Sequence, residues 1–371
     1  MRAAIMRAGE IQVDDFALPE PGPGHVIAKT MACGICGSDL HFLKHGQKLI
    51  DTERRAGGSM IMDLSRDVVM GHEFCAEVLD YGPGSERRFK PGNLVVSVPA
   101  VSTSDGPEVV GYSNTYPGGF GEQIILNAPN LLAVPNGLSA PLAAMTEPMA
   151  VGVHAVAKAQ LEPRDVAVVI GCGPVGLAVI ASLKAKGHGP VLAADFSARR
   201  RRLAEAMGAD DIIDPAKVSP YGKWRDLGVP FNRRDLALAI SSKANPRRAV
   251  LFECVGVPGV LAEMMDGAPA GSRIVVVGVC MESDHVEPAI GVVKELEVQF
   301  VLGYSAAEFA ASLRHIAEGD FDVAPLITST VGLDGVARAF KTLADPGHQA
   351  KIMIDPTMAP SKARASRPAM Y

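Results

Sequence analysis

The chain has 371 residues, 48% hydrophobic, 21% charged and 5% aromatic, with a formal net charge of −5 and a pI near 6.0. That length accommodates two full hydrophobic cores. The charge balance leaves no broad basic surface for nucleic-acid phosphates, and no uncharged apolar run reaches the roughly 20 residues needed to cross a bilayer. Met1-Arg-Ala-Ala-Ile-Met-Arg7 has too short an apolar run for a signal peptide, and the six cysteines are irregularly spaced in a long chain, as reduced thiols are. The expectation is a cytoplasmic globular protein that binds neither nucleic acid nor membrane.

Residues 1–30 alternate weakly and are broken by Pro19, Pro21 and Pro23, which predicts short strands and turns. Cys33-Gly-Ile-Cys36-Gly-Ser38-Asp39-Leu-His41 then concentrates thiol, hydroxyl, carboxylate and imidazole groups in one stretch. Cys33 fits a small residue at a buried strand end. Cys36 gains a metal-binding sense from partners further on, Gly71-His72-Glu73 and Glu147-Pro148. Three protein ligands of S, N and O type with one position open are what a catalytic zinc requires. Cys36, His72, Glu73 and Glu147 are therefore the candidate ligands of a single ion. Ser38 and His41 are candidates to carry a proton away from a bound alcohol. Between His41 and His72, residues 47–70 read as a loop with an apolar island at Met60-Ile61-Met62. Two roles suit it equally: a cover over a substrate pocket, or a loop packed on a neighbouring subunit. Residues 74–135 read as short strands punctuated by Gly82-Pro-Gly84, Pro91-Gly92 and Pro117-Gly-Gly119, the rhythm of a compact β-rich domain.

The texture changes at Val166. Val166-Ala-Val-Val-Ile170 is wholly apolar, as a strand buried on both faces is. Gly171-Cys-Gly173-Pro174-Val175-Gly176 follows, then a helical stretch to Lys186, a second apolar run, Val191–Ala194, and Asp195. Strand, glycine turn, helix, strand and acidic residue in this order form a dinucleotide fingerprint: glycines for a tight turn and close backbone approach, and a helix N-terminus for the phosphates. Asp195 would accept from the ribose hydroxyls and repel a 2′-phosphate, which favours NAD over NADP. Arg199 to Arg202 can bind such a phosphate or form a solvated face. Arg200, Pro174, Val175, Val255 and Val277 are counted among the residues lining the cofactor. The apolar runs at Val250–Phe252, Ile274–Val277 and Val298–Leu302 continue the alternation, so the expected class is α/β with a doubly wound parallel sheet. Helices are expected at Glu308–Glu318 and Leu333–Leu343, and a closing strand at Ala350–Ile354. The Pro-, Ala- and Arg-rich tail, 356–371, receives no core role.

These motifs, in this order, resemble the medium-chain dehydrogenase/reductase superfamily in its zinc-dependent alcohol and polyol dehydrogenase branch. The resemblance implies a GroES-like β-rich catalytic domain, residues 1–148 completed by 305–371, and a Rossmann domain, residues 149–304. It implies that Cys36 and His72 hold zinc, with Glu147 at the third ligand position and Glu73 as a carboxylate that can enter the metal's shell. Ser38 and His41 match a proton relay, Asp39 a carboxylate orienting His72, and Lys351 a basic residue near the metal. It further implies reversible oxidation of a small-molecule alcohol to an aldehyde or ketone with NAD, and a homodimer or homotetramer. Three departures stand out. Ser97–Gly111 lacks the cysteines of the family's structural zinc lobe, Ala76 replaces a usual glycine, and the His41–His72 interval is long. The alternatives are a zinc-free quinone or enoyl reductase of the same superfamily and a non-catalytic nucleotide-binding protein.

Overall fold

The computed structural model describes residues 1–359 apart from Ser59, Ile61, Asn136, Pro346 and His348. Its central strand is the apolar run Val166–Ile170. On one side it pairs in parallel with Val191–Ala194 and then Asp211–Ile213, and on the other with Ala249–Glu253, Arg273–Val276 and Glu297–Phe300. The sheet order is thus 3-2-1-4-5-6, with a switch point beside the first strand. Successive side chains leave opposite faces of a strand. Ala167 and Val169 accordingly enter a core shared with helices Thr146–Ala159 and Pro174–Ala185, whereas Val166 and Val168 enter a second core with Met264 and Trp224. The apolar run at Val298–Leu302 behaves differently from the buried strands it resembles. All four residues of Glu297–Phe300 are exposed, because this strand is the edge of the sheet.

The second sheet has seven strands, organised on the antiparallel pair His25–Gly34 and Glu73–Tyr81. After the parallel sheet the chain returns here. Lys351–Ile354 pairs antiparallel with the end of His25–Gly34, placing Met353 opposite Gly34 and Ile354 opposite Cys33. In the cysteine-free stretch, Ala100–Thr103 and Gly106–Val109 form a hairpin held by side chains. His25 accepts from Gly22 N at 3.0 Å through Nδ1 and donates from Nε2 to Ser102 O at 2.9 Å, while Asn127 and Ser102 exchange two further bonds.

The expected loop at 47–70 requires correction. Helix Gly37–Arg55 continues through its first part, with a non-helical kink at His45 that Gly46 follows. The rest is pinned to its own domain: Asp63 N–H donates to Asn114 Oδ1 at 2.8 Å, Asn114 donates back to Asp63 O at 2.9 Å, and Met62 and Leu64 pack on the second sheet's core. Ile61 of the apolar island lies outside the described residues, as does tail 360–371. Among the described residues no helix is long and apolar enough to cross a membrane.

Candidate metal and nucleotide site

Strand register explains why residues far apart in sequence converge. Gly34 lies opposite Glu73, so Cys36, just past the end of one strand, meets His72, just before the start of the next. On the other edge Ile35 N–H donates to Ile352 O at 3.1 Å, which brings Lys351 alongside the same strand end. Cys36 Sγ, a His72 ring nitrogen and a Glu73 carboxylate oxygen thereby come within 4.8 Å of one another. Glu147 reaches the same region from the first turn of helix Thr146–Ala159.

Each group has a distinct environment. Glu73 and Lys351 are both 1% exposed, and Lys351 Nζ donates to both Glu73 oxygens at 2.6 Å and to Ile35 O at 3.1 Å. Burial works against the lysine's charge, but Glu73, Cys36 and Glu147 outweigh it and hold the ammonium above its ordinary range. Gly34 makes room for this pair, since a Cβ there would collide with Glu73 Oε2 and stand 3.3 Å from Lys351 Cδ. Glu147 accepts from Tyr304 OH at 2.7 Å. Burial pushes its carboxyl up to about 7, against the pull of His72. For His72 burial opposes the charged form, yet Asp39 and Cys36 raise it well above the usual imidazole range. Its Nδ1 lies 3.4 Å from Asp39 Oδ1, an ion-pair distance without hydrogen-bond geometry, so this buried nitrogen has no hydrogen-bond partner among the described residues.

Asp39 also accepts from Cys36 N at 2.9 Å, fixing the start of the helix that carries Ser38 and His41. Ser38 Oγ meets Tyr112 OH at 2.9 Å and His72 Nε2 at 3.4 Å. Tyr112 keeps its proton: burial, then Asp39 and Cys36, raise its pKa. His41, half-buried three residues beyond Ser38, is shifted down by burial and then by His45 and Lys44, which favours the neutral imidazole. Cys33 is fully buried and its thiol is pushed far up by burial, as suits a packing residue.

The nucleotide fingerprint lies at the switch point. Gly171 has φ +92°, and a Cβ there would stand 2.7 Å from Val255 Cγ2, which puts Val255 beside the loop. Gly173 caps helix Pro174–Ala185, with Pro174 in its first turn and Val175 packed on the core. A Cβ on Gly176 would collide with the Gly171 carbonyl. Asp195 accepts from Cys172 N at 2.8 Å and Ser197 N at 2.7 Å, and faces Arg200 at 3.9 Å. Arg200 Nε is buried without a hydrogen-bond partner among the described residues, whereas Arg201 is spent on Asp195 O, Phe196 O and Asp214. Beyond strands Ala249–Glu253 and Arg273–Val276 opens a cleft of ≈ 430 Å³ lined by Glu253, Leu261, Val277, Val279 and Phe300.

Two residues at the site escaped the sequence analysis. Tyr112 sits in Gly111-Tyr112-Ser113, which carries no periodicity or motif. Tyr304 follows the last parallel strand, and its place just past a strand's carboxyl end was the available signal.

A thiol, an imidazole and a carboxylate converge in a chain that also carries a glycine-rich strand–helix turn of dinucleotide-fold type, the arrangement of a metal-assisted oxidoreductase. The donor set fits zinc: S, N and O ligands of the right chemistry within one ion's reach. The chain belongs to the zinc-binding dehydrogenases: residues 22–136 match the alcohol dehydrogenase GroES-like domain and residues 174–318 the zinc-binding dehydrogenase domain. It is 32% identical over 356 residues to (R,R)-butanediol dehydrogenase of Bacillus subtilis (strain 168), covering 94% of this chain and 97% of that protein. It is 27% identical over 358 residues to sorbitol dehydrogenase of Rattus norvegicus, covering 93% of each. The solved structure of 2R,3R-butanediol dehydrogenase from Bacillus subtilis superposes with a TM-score of 0.75 at 30% identity, covering 96% of this chain and 99% of that one. The protein is a zinc-dependent alcohol or polyol dehydrogenase of the medium-chain superfamily.

Proposed function

We propose that the enzyme oxidises a secondary alcohol bearing a neighbouring hydroxyl, a vicinal diol or polyol, to the hydroxyketone with NAD. The observation that carries this is the convergence of Cys36, His72 and Glu73 within 4.8 Å. Butanediol and sorbitol dehydrogenases among the relatives support the diol class. Cys36, His72 and Glu73 would hold the zinc, with Glu147 beside them as a further carboxylate. When bound, zinc supplies positive charge that stabilises an oxyanion, and nicotinamide supplies a hydride acceptor. The chain's own residues do the rest. Ser38 Oγ takes the hydroxyl proton, and His41, on the same helix face and kept neutral, is a base to receive it. Asp39 anchors the helix start, and Lys351 balances the charge of Glu73. Asp195 supports NAD, because a carboxylate repels a 2′-phosphate.

The same reading includes a homodimer joined through the Rossmann edge and a cytoplasmic location. Glu297–Phe300 offers an unpaired strand edge, with Val292 75% and Leu302 81% exposed near it. The test is NADH formation with diols, polyols and simple alcohols, before and after zinc removal by a chelator. Activity confined to simple alcohols sinks the diol assignment, and activity unaffected by complete zinc loss sinks the metal assignment.

A further inference from the structure

We infer that Tyr112 is a positioning residue for Ser38: its phenol fixes the direction of the serine hydroxyl, so that Ser38 accepts the substrate proton while its own proton leaves toward His41, the receiving base of the proposed function. This deepens the proposed function and rests on the assignment of Ser38 to proton transfer.

A serine hydroxyl has one hydrogen and two lone pairs. Proton transfer through it uses one lone pair to accept and the hydrogen to donate, so the second lone pair decides where that hydrogen points. Tyr112 OH occupies it at 2.9 Å. Its alternative acceptor, Asp39 Oδ1, is at 3.4 Å. Without the phenol, the Ser38 hydroxyl keeps only the longer contact to His72 Nε2 at 3.4 Å and turns more readily among its staggered positions.

The phenol's placement is enforced by the fold. Gly111, at φ +88°, puts its Cβ position 3.0 Å from Gly71 N and O, so the turn carrying Tyr112 lies against the backbone leading into His72. Tyr112 N–H donates to Val109 O at 3.0 Å, and Ser113 Oγ accepts from Thr115 N and Tyr116 N at 2.9 Å each. The Tyr112 ring packs edge-on to Phe42 at 5.1 Å and tilts over His72 at 5.3 Å. A phenylalanine would fill the same space. Its hydroxyl is what this site adds, and a hydroxyl taken out of water is costly unless it is bonded.

The experiment compares Tyr112→Phe, Ser38→Ala and the double variant as zinc-loaded holoenzymes. Tyr112→Phe is expected to lower kcat about tenfold with KM within about twofold, and to raise the solvent deuterium isotope effect on kcat. In the Ser38→Ala background it should have no further effect, because its action passes through Ser38. Zinc content, and the visible spectrum of the cobalt-substituted protein, should match wild type. A tenfold loss that persists in the Ser38→Ala background, or a changed cobalt spectrum, overturns the inference and makes Tyr112 a support for His72 instead. A urea-unfolding cycle on the same variants needs no turnover, and absence of coupling there overturns the hydrogen bond itself. Wild type that oxidises no alcohol defeats the functional reading, a result distinct from either of these.

Discussion

Replacing Lys351 by methionine removes the ammonium that bonds both Glu73 oxygens in a site where both side chains are 1% exposed. Methionine matches the lysine stem in length and keeps its packing, so the change isolates the charge. Two unit charges about 4 Å apart attract by about 4 kcal/mol at an effective dielectric of 20. Breaking a buried pair from one side typically costs about 3–5 kcal/mol, since the partner is left uncompensated. Lys351→Met should therefore lower the urea-unfolding free energy of the zinc-free protein by about that amount, a large share of the roughly 5–15 kcal/mol a native domain holds. Lys351→Met/Glu73→Gln should recover much of the loss, because it removes the orphaned charge. Zinc should stabilise Lys351→Met more than it stabilises wild type, if Glu73 is within reach of the ion. Unfolding free energies of wild type and Lys351→Met that agree within about 1 kcal/mol without zinc would refute the account of this pair.

Elemental analysis is expected to give one tightly held zinc per chain, and Cys36→Ser should lose it while keeping nucleotide affinity, measured by fluorescence titration. Two zinc ions per chain would contradict the single-site assignment. Asp195→Ala should reduce kcat/KM with NAD about tenfold or more and improve NADP, as it deletes an acceptor and relieves repulsion beside Arg200. A wild type already preferring NADP would refute this. Glu308 caps helix Ala306–Glu318 and bonds His154 at 2.9 Å. Burial opposes its charge, but Ser305 and His154 hold its carboxyl below the ordinary glutamate range. Because the folded value is depressed, its contribution is present above the unfolded value and is lost as pH falls through the folded one. Glu308→Gln should then cost about 1 kcal/mol in urea at neutral pH and nothing once the solution is more acidic than the folded carboxyl. If strand Glu297–Phe300 joins two copies, Phe300→Lys should yield monomers by light scattering with the fold intact by circular dichroism. Wild type that is itself monomeric would end that proposal.

What the sequence determined by itself was local. A run buried on both faces, a turn requiring glycine at Gly171, a helix start and a terminal Asp195 all follow from neighbours within a few residues, and each carries its own periodicity or backbone demand. Candidate ligands were also legible, since Cys36 and His72 announce their chemistry by type. Three other features depended on the tertiary structure. Helix Gly37–Arg55 was hidden because Gly46 and a polar surface weaken its pattern, and only packing of Phe42 and Ile50 reveals the buried side. Glu297–Phe300 reads like any apolar strand, and only strand order makes it an exposed edge. The meeting of Cys36, Glu73 and Lys351, and of Ser38 with Tyr112, is set by register between strands and by a turn pressed against Gly71. Strand register and turn docking bring together residues tens to hundreds of positions apart, and no local pattern encodes such distances.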